Sequence, residues 1–160
     1  CVNPNDTHDT SIPEGAWLTK LNLSFCSQLT NPKITSNSLT ILNLSCCGNL
    51  TEAAVQDIAT NCPNLTTLNL SCCNQLTNPV ITSTSITTLK LFSCKRLTNP
   101  KIPSNSLTSL DLSFCYNLTD AVVHDIATNC PNLTTLNLSY TNITDATKQA
   151  LRNRGITVHN

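Results

Sequence analysis

Apolar residues return along this chain in one phrase, Leu-Thr-x-Leu-x-Leu-x-x-Cys, set between polar stretches. It reads LTKLNLSFC from Leu18, LTILNLSCC from Leu39, LTTLNLSCC from Leu65, ITTLKLFSC from Ile86, LTSLDLSFC from Leu107 and LTTLNLSYT from Leu133. The start-to-start steps are 21, 26, 21, 21 and 26 residues. A repeat of that length means stacked coils, because one coil cannot bury its own leucines. Side chains alternate along a strand, so the two outer leucines of each LNL point inward together. Leu21/Leu23, Leu42/Leu44, Leu68/Leu70, Leu89/Leu91, Leu110/Leu112 and Leu136/Leu138 are therefore the predicted interior of one parallel sheet.

The return segments are of two kinds. Thr51–Asn64 and Thr119–Asn132 predict short helices. Each offers Thr as an N-cap and an acid in the first turn, where the helix dipole favours it. Val55, Ile58, Ala59 and Cys62 then fall at helical spacing, as do Val123, Ile126, Ala127 and Cys130. Pro63 and Pro131 stop the helices. Thr30–Ser38, Thr77–Ser85 and Thr98–Ser106 begin Thr-Asn-Pro and run on in Ser, Thr and Asn. The residue before Pro avoids helix, so these coils read as extended, with Ile34, Ile81 and Ile102 as single inward anchors. Mixing thick and thin coils predicts uneven curvature.

Residues 51–71 and 119–139 differ only at Glu52/Asp120, Ala54/Val122 and Gln56/His124, which indicates a duplicated block. In the last coil Thr144 caps a helix, Lys148 and Arg152 replace apolar positions, and Arg154-Gly155 gives a stop. Ile156 and Val158 are then placed to cover the end.

The phrase LxxLxLxxC, followed by LTD and IAxxCPN, resembles the cysteine-containing leucine-rich repeats familiar from F-box substrate adaptors. The resemblance spans about residues 18–160. It implies an α/β leucine-rich-repeat solenoid, with a parallel sheet on the concave face and short helices and extended segments on the convex face. Residues 18–160 divide into six coils, 18–38, 39–64, 65–85, 86–106, 107–132 and 133–160, the last with a C-terminal cap. Residues 1–17 form an N-terminal capping segment whose Trp17 is placed to seal the first coil. No F-box-like helical segment lies within the sequence, so the adaptor role is not carried over.

Composition narrows function mainly by exclusion. Formal net charge is zero and 11% of the 160 residues are charged, so nothing steers the chain to nucleic acid. No apolar run approaches the roughly 20 residues of a membrane span. Three scattered histidines and three glycines offer neither a triad nor a phosphate loop. The expectation is a non-enzymatic chain with no cofactor and no metal.

Five of the ten cysteines, Cys26, Cys47, Cys73, Cys94 and Cys115, share one interior position, and Cys62 and Cys130 complete helix stripes. These seven read as buried free thiols behaving as small hydrophobes. The resemblance implies that the shared position ties turn backbone groups inside the solenoid. Cys46 and Cys72 sit one place earlier in consecutive coils and face outward, just within disulfide reach, and read either as a disulfide or as two exposed free thiols. Cys1 has three readings: a disulfide partner, the lipid-bearing first residue of a processed bacterial lipoprotein, or a fragment end.

Outward columns hold the functional candidates. Thr19, Thr40, Thr66, Thr87, Thr108 and Thr134 form one, and Asn22, Asn43, Asn69, Lys90, Asp111 and Asn137 another. Both suit hydrogen-bonded ladders along the stack. Lys90 and Asp111 sit on adjacent strands, placed to pair. Phe92 interrupts a column of serines, and exposed aromatics anchor interfaces. The predicted partner patch is therefore Lys90, Phe92, Asp111 and Phe114, with Asn69 and Tyr140. Of ten Asn-x-Ser/Thr sequons, Asn49, Asn117 and Asn142 lie at turns and are the better glycan acceptors. The leading function is recognition of a protein partner through the concave sheet. The alternative is a structural subunit stacking end to end in an extracellular fibre or surface assembly. Sequons and outward cysteines favour a secreted or cell-surface location over the cytoplasm.

Overall fold

Every Leu-x-Leu phrase forms a three-residue strand, and the coils stack in sequence order. The computed structural model describes residues 17–160. Its strands are β1 (Lys20–Asn22), β2 (Ile41–Asn43), β3 (Thr67–Asn69), β4 (Thr88–Lys90), β5 (Ser109–Asp111), β6 (Thr135–Asn137) and β7 (Thr157–His159). All pair in parallel, in the order β1 to β7. The register puts Leu21, Leu42, Leu68, Leu89, Leu110, Leu136 and Val158 side by side. From Leu42 to Leu138 the paired leucines of each phrase are buried, which is the predicted alternation.

The long return segments are helices α1 (Glu52–Asn61) and α2 (Asp120–Asn129), and a third, α3 (Asp145–Asn153), lies in the last coil. Thr51, Thr119 and Thr144 cap them, each Oγ1 accepting from the backbone N–H three residues on. The predicted stripes from Val55 to Cys62 and from Val123 to Cys130 are buried.

The short coils bury more than one anchor. Beside Ile34, Ile81 and Ile102, the structure buries Pro32, Pro79 and Pro100 and the hydroxyls of Ser36, Ser83 and Ser104. Each of these serines replaces a helix end. Ser104 Oγ accepts from Leu107 N at 3.1 Å and Ser106 N at 3.3 Å, and it donates to Ser83 O at 3.2 Å. Buried backbone donators in a turn need such partners, and a small hydroxyl supplies them.

The two ends differ. At the C-terminal end Gly155 takes φ 87°, a left-handed conformation that closes α3, and Ile156 N returns to Leu151 O at 3.2 Å. The chain then adds β7, a seventh strand formed by the C-terminal cap of the sixth coil. Arg152 donates to Val158 O and Arg154 to Ala127 O, so the basic residues fasten this end. At the other end Trp17 is 92% exposed and does not seal the first coil, where Leu21, Leu23 and Leu29 are only partly buried. Cys1, Asn5, His8 and the rest of the predicted capping segment before Trp17 lie outside the described residues. No helix among the described residues is long and apolar enough to cross a membrane.

Candidate functional site

The site is built where each strand ends. The strand-terminal Asn or Asp turns its side chain onto its own coil. Asn22, Asn43, Asn69 and Asn137 each accept from the backbone N–H two residues later at 3.0 Å. Asp111 accepts from Ser113 N at 2.9 Å and from Ser113 Oγ at 2.6 Å. These are Asx turns. The Asn column therefore shapes turns and is not an inter-strand ladder. The Thr column does tie coil to coil: Thr40, Thr66, Thr87, Thr108 and Thr134 each donate Oγ1 to the backbone oxygen of the Thr before it in the column.

Three residues after each strand-terminal position, with or without an Asx turn, the backbone crosses to the left-handed region. Phe25, Cys46, Cys72, Ser93, Phe114 and Tyr140 have φ between 54° and 61°. Non-glycine residues rarely sit there, and the conformation costs about 1–2 kcal/mol each. The neighbouring coils hold it in place. Cys46 N donates to Ser71 O, Cys72 N to Phe92 O and Ser93 N to Ser113 O, each at 2.8 Å, and Phe114 N to Ser139 O at 3.0 Å. The column thus leaves the sheet at one sharp corner in every coil, and its side chains collect along the rim beyond the strand ends.

Coils four to six bring aromatic rings together on that rim. Phe114 and Tyr140 are in register and stack, with centroids 4.5 Å apart and planes at 23°. Phe92, from the preceding coil, meets Phe114 edge-on at 5.3 Å. Tyr116 meets it edge-on at 6.3 Å. Phe92 is 38% exposed, Tyr116 44% and Tyr140 69%, so the cluster faces solvent. Three of the predicted patch residues, Phe92, Phe114 and Tyr140, are in contact. Tyr116 lies outside the predicted patch because it falls beyond the interior Cys, past the outward strand columns. One place beyond it the column reads Ser27, Gly48, Asn74, Lys95, Tyr116, and the lone aromatic is the signal.

The charged candidates part company. Lys90 and Asp111 are neighbours in register, yet Asp111 Oδ1 serves its own Asx turn. The ion pair seen among the described residues is instead Lys33 Nζ–Asp57 Oδ2 at 3.2 Å, on the opposite side of the coils. Lys90 offers no acceptor for an Asx turn, which is why coil four alone departs from the Asn/Asp rule. Lys90, Lys95 and Arg96 are all exposed, so coil four edges the rings with positive charge. Asn69 lies beside Lys90 in register and is half-buried.

The sequence model of a family described as Zer-1-like leucine-rich repeats matches residues 56–158, more than half of the chain. The chain belongs to that family. A general leucine-rich-repeat model also matches residues 35–59. No curated protein matches this leucine-rich-repeat chain. Among solved structures it is similar to a chain of the Rad7–Elc1 complex of yeast, at 21% identity and a TM-score of 0.46. That alignment covers 76% of this chain and 40% of the other, so this chain spans well under half of that one.

In this leucine-rich-repeat protein the interior cysteines are built into the stack. Cys47, Cys73, Cys94 and Cys115 donate Sγ–H to the backbone oxygens of Leu23, Leu44, Leu70 and Leu91 at 3.1–3.2 Å. Cys62 and Cys130 donate to Ile34 O and Ile102 O. They are more than small hydrophobes, since each thiol answers a carbonyl of the coil before it. Burial pushes the Cys73 and Cys115 thiols up to about 12, and Cys94 rises for the same reason. No group of three or more His, Cys, Asp or Glu able to hold a metal occurs among the described residues. Asn49, Asn117 and Asn142 are exposed, and each donates Nδ2–H to a carbonyl of the preceding coil at 2.7 Å. His124 lies exposed on α2 and His159 ends β7, on separate elements of the stack. An open groove of about 310 Å³ between the short coils is lined by hydroxyl and amide groups and by Pro103.

Proposed function

We propose that this chain is a non-enzymatic protein-recognition module that grips its partner with the ring cluster of coils four to six. The observation that carries this reading is the solvent-facing contact of Phe92, Phe114, Tyr116 and Tyr140 across three consecutive coils. Rings already packed against one another lose little freedom on binding, and aromatic anchors supply most interface energy. The surface sits on the rim beyond the strand ends, next to the concave sheet. Lys90, Lys95 and Arg96 border it, while Asp111 is engaged internally. The complement is a partner segment that presents an apolar or aromatic side chain beside carboxylates. Asn69, next to Lys90, extends the same border.

Selection of a displayed random peptide library on the immobilised chain tests this. The expected binders carry acids next to an aromatic or aliphatic residue. Phe92→Ala or Tyr140→Ala should weaken them about 30-fold, the effect of a 2 kcal/mol anchor. Binders that hold both variants as tightly as the parent chain would refute the assignment.

End-to-end stacking is the second reading, and one feature favours it. Trp17, Leu18 and Phe25 are exposed at the first coil, where Leu21 and Leu23 are incompletely covered. A repeat end of that kind can accept another coil. A discrete monomer in light scattering at micromolar concentration sinks this reading. We place either activity at a secreted or cell-surface location, supported by the exposed sequon turns and by the outward cysteines. Mass spectrometry of the chain from its source, showing neither glycan nor disulfide, would overturn that placement.

A further inference from the structure

Two thiols stand outside the buried set. Of the nine described cysteines, seven are buried and only Cys46 and Cys72 are half-exposed. They occupy the same rim position of coils two and three, with φ 60° in both. The strand register that aligns Asn43 with Asn69 carries them side by side, and their amides belong to the same ladder, Cys46 N to Ser71 O and Cys72 N to Phe92 O. Burial first, and then the neighbouring Cys72 thiol, push the Cys46 thiol up. Equal backbone angles on parallel coils point the two Cα–Cβ bonds the same way. Neighbouring parallel strands lie about 4.8 Å apart, which is inside the Cα window for a disulfide, about 4.4–6.8 Å.

We propose that Cys46 and Cys72 are a reversible redox pair that closes a disulfide between coils two and three by exchange with a small-molecule disulfide. In the first step one thiol loses its proton to solvent and its sulfur attacks the small disulfide. That S–S bond breaks, a small thiolate leaves and takes up a proton, and a mixed disulfide forms. The second cysteine then attacks the protein sulfur of the mixed disulfide and expels the second small thiol. Two protein thiols are oxidised, one small disulfide is reduced to two thiols, and two electrons pass between them.

The geometry gives the bond its reversible character. Parallel Cα–Cβ bonds leave the Cβ atoms near the strand spacing of about 4.8 Å, whereas disulfides prefer about 3.8 Å. Closing the bond must draw two corners together that the sheet hydrogen bonds hold apart, and strained disulfides are more easily reduced. The interior thiols do not compete. They are spent on carbonyls of the preceding coil, and burial keeps Cys47, Cys62, Cys73, Cys94, Cys115 and Cys130 protonated.

The test uses the full chain carrying Cys1→Ser, equilibrated in reduced and oxidised glutathione. Intact mass should fall by two hydrogens as the buffer is made oxidising, and recover in reducing buffer. Cleavage after Glu52 separates Cys46 from Cys72. The two fragments should stay joined without reductant and part with it. Adding Cys46→Ser should abolish both signs and leave one glutathione adduct at Cys72. The oxidised chain should also melt at a higher temperature than the reduced one. Stable glutathione adducts on both cysteines would overturn the proposal, as would an unchanged mass with both thiols open to alkylation. Joined fragments in the Cys46→Ser variant would overturn it too, by assigning the bond to Cys26 or Cys47.

Discussion

Phe114 tests the rim in two ways at once, because it is the hub of the ring cluster and sits at φ 59°. Phe114→Ala removes three ring contacts, with centroids at 4.5, 5.3 and 6.3 Å, and keeps the strained backbone. Contacts of this kind contribute about 0.5–1.5 kcal/mol each, and partial exposure places them at the low end, about 1.5 kcal/mol together. Half-burial of the ring adds about 1 kcal/mol of apolar transfer. The expected loss is about 2–2.5 kcal/mol. Phe114→Gly loses the same contacts but relieves the left-handed strain, worth about 1–2 kcal/mol. Greater freedom of glycine in the unfolded chain takes back about 0.5–1 kcal/mol. Phe114→Gly should therefore be more stable than Phe114→Ala by about 0.5–1 kcal/mol, against the usual ranking of these residues. Urea unfolding followed by circular dichroism reads this directly. With a slope of about 2 kcal/mol/M, the alanine variant should shift its midpoint by about 1 M and the glycine variant by visibly less. Equal midpoints would refute the strain argument, and a loss under about 0.5 kcal/mol in Phe114→Ala would show that the rings do not support one another.

Three further outcomes follow from the stack. Ser104→Ala should cost about 2 kcal/mol in urea unfolding, because it leaves the buried Leu107 N–H without its 3.1 Å acceptor; Ser104→Cys at near-parent stability would argue against a hydrogen-bond role. Cys94→Val should cost about 1 kcal/mol by removing the 3.2 Å bond from Sγ to Leu70 O, and a variant at least as stable as the parent would show that the thiol acts only as an apolar filler. Acid should loosen the helical coils. Burial raises the Glu52 carboxyl, but bonds from Asn78 N, Thr77 N and Thr77 Oγ1 at 2.7–2.8 Å outweigh it and hold it below its usual value of 4.5. The bond from Thr144 N, with that from Thr144 Oγ1, holds Asp120 below 3.8. A depressed folded value means that the unfolded chain binds more protons. The stabilisation is therefore complete above the ordinary values and lost as pH falls through the depressed ones. Glu52→Gln with Asp120→Asn should flatten the fall in urea midpoint between about pH 5 and pH 3, and an unchanged slope would refute the assignment.

The solenoid was legible because its cause is periodic. Leucines at alternate positions, Thr before each helix and Pro after α1 and α2 all act within a few residues, and single-sequence reasoning sees that range. β7 was not legible as a strand: Thr157–His159 lacks the leucine phrase, and it pairs only because β6 offers an open edge and Gly155 turns the chain toward it. The site was half legible. Phe92 stood out because it breaks a column of serines, and Phe114 and Tyr140 because they are aromatic residues at the next outward position. The Lys90–Asp111 pairing failed because adjacency does not decide who wins a carboxylate. Ser113 supplies two donors from two residues away at no cost in chain entropy, while a lysine must order a long side chain to reach. The left-handed corner was hidden for a related reason. Non-glycine residues of four kinds occupy its six positions, so no glycine marks it, and the constraint comes from the neighbouring coil.

That corner explains why variation is concentrated where it is. Interior Leu and Cys positions are fixed by packing and by the thiol-to-carbonyl bonds. Thr positions are fixed by the ladder, and Asn or Asp by the Asx turn. A column committed to holding one coil on the next cannot also vary to suit a partner. The corner residue is different, since its backbone is held by amides of its own and the next coil while its side chain is left to point along the rim. Phe, Cys, Ser and Tyr all occur there without altering the fold. A surface of that kind can gain rings at one end and thiols at the other by single substitutions. The stacked Phe114 and Tyr140 of coils five and six and the thiol pair of coils two and three are thus two uses of one structural freedom. If so, moving a ring to a corner that now holds Cys72 should leave stability within about 0.5 kcal/mol, the range of a surface change, and extend the aromatic patch by one coil. Cys72→Phe, assayed by urea unfolding and against peptides selected on the parent chain, decides it. A large loss of stability would mean that the corner is tuned residue by residue and is no free position at all.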